Sequence, residues 1–170
     1  MDQHVRRVFV SEVERQAKFA LMAIVDINTA LAAEETDRVW CSIQSLLIAA
    51  GNVSKLLWPT KKYVERGIAL RQMLSIQEDS VLAARTLRNH FEHFDERLED
   101  WAAAKGERMF VDSNIGPPGM GSGLDPAGLL RNLDTKDMAV TFRCDAYLLQ
   151  PIATAIQELH ARAFQIKNRT

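Results

Sequence analysis

Apolar residues return every three to four positions through most of the first hundred residues, and a chain patterned this way buries them by forming amphipathic helices that pack on one another. Phe9, Val13, Gln16, Ala20, Ile24, Ile27 and Leu31 mark a first helix of about 25 residues, with Arg6, Arg7, Glu12, Glu14 and Lys18 largely on its other faces. Thr36 or Asp37 caps a second helix with Val39, Ile43, Leu46, Leu47, Ala50, Val53 and Leu57 on its stripe, ended by Trp58-Pro59. Thr60 restarts a short third helix carrying Val64, Ile68, Leu70 and Leu74, in which Gly67 is a mild central weakness. Asp79 or Ser80 caps the fourth and longest. Its Leu87, Phe91, Phe94, Leu98 and Trp101 predict a continuous buried seam that runs on to Gly106 as a C-terminal stop.

The pattern changes after Gly106. Residues Arg108 to Asp112 alternate weakly, and a Gly/Pro-rich loop occupies 113–128. Within it, Gly119-x-Gly121-x-Gly123 lacks the preceding strand, the following helix and the glycine offset of a nucleotide fingerprint, so it reads as a surface connector. Two strand candidates, Leu129 to Leu133 and Met138 to Cys144, flank Asp134-Thr135-Lys136-Asp137 and predict a hairpin over 129–144 that caps one end of the helices. A last helix begins near Pro151, with Ile152, Ile156, Leu159, Ala163 and Ile166 on its stripe and a fraying tail from Lys167 to Thr170. The expected fold is mainly α: one domain over 1–170, an antiparallel four- to five-helix bundle with a small β-hairpin inserted before the last helix.

A net charge of -1 gives no whole-molecule field for coating nucleic acid, so a nucleic-acid partner would have to meet a local patch. The two cysteines, Cys41 and Cys144, are too few and too far apart for a disulfide framework or a metal knuckle. Residues Met1 to Val10 lack the apolar core of a signal peptide, and the longest apolar run, Phe19 to Val25, is too short to span a bilayer, so the expected address is cytoplasmic, without membrane contact.

Arg88-Asn89-His90-Phe91-Glu92-His93 concentrates the chemistry. Arginine offers a permanent planar fork suited to phosphate oxygens, and histidine titrates near neutrality, so the pair can clamp and cleave a phosphodiester. On an unbroken helix Arg88 and His93 point roughly 140° apart, so a site using both needs a local break or a second copy of the chain. The plain alternative pairs Arg88 with Glu92 one turn on and leaves the histidines half-exposed. A third option places a metal on His90, His93 and Glu96, though no second ligand-rich segment accompanies them.

The run Arg88-Asn89-x-x-x-His93, near the start of a long late helix, resembles the signature of the HEPN superfamily of all-α ribonuclease and nucleotide-binding domains. The resemblance implies a homodimer cleft that cuts RNA without metal or cofactor, often in a toxin or antiphage defence role. Arg88 and His93 would inherit the catalytic positions, Asn89 would orient them, and His90 could serve as a second acid or base. RNA, a second copy and an antitoxin or regulatory protein are the implied partners. Asp95 stands where a toxin subset carries the tyrosine that its antitoxin modifies, which speaks against that particular antitoxin. The competing expectation is a noncatalytic helical module that binds a nucleotide or protein partner through the same dimer cleft.

Overall fold

The computed structural model describes residues 2–103, 111–117, 128–142 and 145–169. The chain is mainly α. Three long helices, α1 (Gln3–Ala32), α2 (Thr36–Leu57) and α6 (Leu149–Arg169), form the framework, with α3 (Val64–Leu74), α4 (Thr86–Glu92) and α5 (Phe94–Ala102) between α2 and the sheet region. The second helix stops at Trp58-Pro59 as its sequence predicts. Among the described residues no helix is long and apolar enough to cross a membrane.

α1 lies between the other two long helices and runs antiparallel to both. Asn52 near the end of α2 donates to Gln16 at the middle of α1 (3.2 Å), while Arg38 at the start of α2 lies 3.8 Å from Asp26, nearer the end of α1. On the other side, Lys167 and His160 of α6 reach Glu14 at 3.0 and 3.5 Å, and the Lys167 hydrogen bond holds that carboxyl below the usual carboxylate range. The buried line of α1 is Val10, Val13, Ala17, Ala20, Ala23, Ile27 and Ala30, offset from the stripe expected at Phe9, Gln16, Ile24 and Leu31. Alanine contributes little to an apolar pattern, yet its small side chain lets two neighbouring helices approach closely, and here it marks the centre of the packing.

Two expectations are corrected. The fourth helix is not continuous: a 3-10 turn at Val81–Ala83 precedes α4, and α4 gives way to α5 at His93. Leu87 and Phe91 are buried, but Phe94 and Leu98 are exposed, so the seam ends where the core ends. The hairpin is the middle of a larger sheet. Strands β1 (Asn114–Ile115), β2 (Arg131–Asp134), β3 (Ala139–Phe142) and β4 (Asp145–Leu148) lie in that order, β1 parallel to β2 and the others antiparallel. β4 feeds directly into α6, which starts two residues before Pro151. Gly106, residues 118–127 of the Gly/Pro-rich loop and Cys144 lie outside the described residues.

Aromatic contacts join the sheet to the helices. Trp40 of α2 donates to Ser113 O (2.8 Å), and Phe91 of α4 sits 6.5 Å from Trp40 and 5.5 Å, edge-on, from Phe142 of β3. Gly67 proves to be a close approach and not a weakness. A Cβ there would stand 2.4 Å from Pro59 Cδ and 2.7 Å from Leu57 O, so α3 can cross the end of α2 only through a bare Cα. In an open helix Gly→Ala would gain up to about 1 kcal/mol. Gly67→Ala should instead destabilise the protein by about 1–3 kcal/mol, as overpacking does, read as a lower urea midpoint at unchanged slope.

Candidate functional site

α4 is fastened to α2 by the residue that precedes it. Arg85 donates from Nε to Ser54 Oγ (2.9 Å) and from Nη2 to Ser54 O (3.2 Å), which also accepts from Trp58 N (2.8 Å), and to Trp58 O, just past the end of α2. A cation there also meets the negative end of the helix dipole. Burial and the neighbouring Arg88 charge hold the Arg85 pKa below its ordinary value.

One turn later Arg88 lies flat across α2 at Gly51. A Cβ at position 51 would come within 2.3 Å of Arg88 Cδ and 3.3 Å of its Nη1, so the missing side chain is the seat for this one. Only 12% of the Arg88 side chain is exposed. Nη2 donates to Asn89 Oδ1 (2.9 Å) and lies 3.1 Å from Glu92 Oε2, whereas Nε and Nη1 are buried with no hydrogen-bond partner among the described residues. Arg88 and Gly51 line a cleft of about 370 Å³ together with Leu47, Leu82, Tyr147 and Pro151.

The two histidines go elsewhere. His90 stacks on Phe142 at 5.1 Å, its Nε2 is 3.0 Å from the Tyr147 hydroxyl and 3.6 Å from Asp145 Oδ2, and its Nδ1 is buried without a partner. It therefore ties α4 to the sheet. Burial, assisted by the Arg97 charge and opposed by Asp145, holds its pKa below the ordinary histidine value. Burial and the Asp145 charge raise that of Tyr147. His93 occupies the break between α4 and α5, with φ -112° and ψ 38°; its side chain is 55% exposed and its Nδ1 lies 3.3 Å from Glu96 Oε1.

Of the four residues singled out by sequence, the fold brings Arg88 and Asn89 together, puts His90 against β4 and leaves His93 outside the cleft. The Arg88–Glu92 pair foreseen as the plain alternative is present. Among the described residues no group of three or more His, Cys, Asp or Glu side chains could hold a metal ion. Gly51, Arg85 and Tyr147 were missed. Gly51 left a signal, a glycine inside a strongly apolar helix, whereas Tyr147 left none because its strand was not foreseen. No family model, curated protein or solved structure matches the chain.

The His90 environment sets a pH dependence. Because folding lowers its pKa, the neutral ring contributes stability that is fully present above the unfolded value and is lost as pH falls through the folded value. Urea midpoints should decline on acidification through roughly pH 7 to 5, the histidine range, and His90→Gln should flatten that part of the profile. An unchanged profile in His90→Gln would assign the decline to other groups.

Proposed function

We propose that this chain is a noncatalytic helical module that binds a nucleotide through the Arg88 cleft. The observation that carries the reading is a guanidinium only half engaged: Nη2 is held by Glu92 and Asn89, while Nε and Nη1 are buried and unpaired. An unsatisfied buried donor costs about 1–3 kcal/mol, and more on a charged group. A phosphate in the cleft recovers that energy once the guanidinium turns toward it, and its oxygens match the planar fork. Leu47, Leu82 and Pro151 offer an aliphatic wall for the rest of the ligand, and the cleft volume falls in the range of small-molecule sites. Neither His90 nor His93 lines it.

A second reading, the HEPN-like metal-independent endoribonuclease, is favoured by the break at His93. A helix interrupted at that residue leaves an exposed imidazole available to a second subunit. In a homodimer His93 would move the proton of the attacking 2'-hydroxyl or the leaving oxygen, and Arg88 would stabilise the charge building on phosphorus. The four-to-five-helix bundle of that family is the finer fold this reading would carry. Against it stand the Glu92 pairing of Arg88 and the acidic run Asp95, Glu96 and Glu99 beside His93, which repels a phosphate backbone.

One set of variants separates the two. Arg88→Ala should weaken binding of a fluorescent nucleoside monophosphate about ten- to hundredfold, the worth of one or two charge-assisted hydrogen bonds. Gly51→Ala should do the same by filling the seat, and His93→Ala should bind as the parent does. None should cut cellular RNA in EDTA. Discrete RNA fragments with cyclic phosphate ends, lost in both Arg88→Ala and His93→Ala, would move the conclusion to the nuclease.

A further inference from the structure

α1 carries an apolar face that no element among the described residues covers. Phe19, Met22 and Val25 are 48%, 55% and 63% exposed, and across a groove of about 510 Å³ Phe164 of α6 is 52% exposed. The three α1 residues are spaced by three, so they form one stripe, set opposite the alanine line that packs the helix into the framework. Isolated exposed apolar residues are ordinary, but Met22, Val25 and Phe164 around one groove, with Phe19 one turn before Met22, make a patch of the kind that marks an interaction site.

We propose that this face is the interface of a homodimer in which two copies of α1 pack antiparallel about a twofold axis at Met22. The charges flanking the stripe select both the partner and the direction. Basic Lys18 lies on the N-terminal side of Met22 and acidic Asp26, 3.8 Å from Arg38, on the C-terminal side, both on the exposed surface, while Arg15 is neutralised by Glu12 (3.1 Å). Antiparallel pairing sets Met22 against its own copy and Phe19 against Val25. It also brings Lys18 of each protomer to the level of Asp26 in the other. Parallel pairing would set lysine at the level of lysine and aspartate at the level of aspartate, which is unfavourable. A surface whose two halves complement each other across one residue fits a second copy through an isologous contact. The 30-residue helix is about 45 Å long, and Phe164 widens the contact toward α6, so the face has the reach that a standard interface of about 800 Å² a side requires.

No residue of α1 lines the Arg88 cleft, so this dimer leaves each cleft complete within its own chain and does not depend on the nucleotide reading. It also differs from the dimer through the fourth helix that a shared Arg88 and His93 site would need.

The test uses the whole chain. In sedimentation across a concentration series the parent should be a dimer, and Met22→Glu should raise the dissociation constant at least about thirtyfold, as loss of a central hot spot does. Its circular dichroism should be unchanged, since position 22 is exposed. In a background of Cys41→Ser and Cys144→Ser, Met22→Cys should oxidise to a disulfide-linked dimer, because only a residue on the axis meets itself. A parent that stays monomeric at every concentration overturns the proposal and leaves the face to a helix of another protein. A dimer that survives Met22→Glu, or forms without the Met22→Cys cross-link, overturns it equally by placing the interface elsewhere.

Discussion

Three guanidiniums converge on the C-terminal end of α2, where a 22-residue helix runs out of amide donors for its last carbonyls. Arg66 donates to Lys55 O (3.3 Å), Arg71 to Leu57 O, and Arg85 to Ser54 O and Trp58 O. The first two belong to α3 and the third precedes α4, so one helix end fixes the entry of both short helices. Arg71 also stacks over Trp58 and pairs with Glu78, which ties the loop after α3 to the same point. Leaving Leu57 O and Trp58 O without donors would cost more than placing the cations together, because each cation faces an acceptor.

The position of Arg88 follows from that junction. With Arg85 anchored, the next turn of α4 can settle only along α2, and the bare Cα of Gly51 admits the Arg88 side chain there. Burial first, and the like charge of Arg88 one turn on, lower the Arg85 pKa, and Glu92 offsets part of the Arg88 charge on the open side. α4 is further held by Leu87, Phe91 and the His90 contact with Tyr147, whereas α5 buries no residue. The helix breaks at His93, the boundary between the held and the unheld turn. The break therefore has a packing cause that operates without any catalytic role for the imidazole.

Much of the helical framework was legible because long amphipathic stretches advertise themselves through apolar spacing. Val39, Ile43, Leu46, Leu47, Val53 and Leu57 are buried as that spacing requires. Spacing failed where the pattern continued and the partner did not, as at Phe94 and Leu98, since periodicity states which face could be buried and not what covers it. It also failed where burial is carried by small residues, as at Ala17, Ala23 and Ala30. β4 escaped notice because four residues directly joined to a helix carry too little alternation to stand apart from it. At the site, the Arg88–Glu92 pair was legible because residues one turn apart are neighbours on any helix. The Arg88–Gly51 seat and the His90–Tyr147 contact join positions remote in sequence, and local rules are blind to those.

The account turns on the buried, unpaired side of Arg88, and the side-chain Nε–H resonance of that residue reports on it directly. In a nitrogen-edited NMR titration with a nucleoside monophosphate, the Arg88 Nε–H signal should shift as its donor finds an oxyanion, while the His93 ring signals stay in place. An Arg88 signal unmoved at saturating ligand would contradict the binding cleft. A His93 signal that moves with it would contradict the separation of the two residues on which the noncatalytic reading stands.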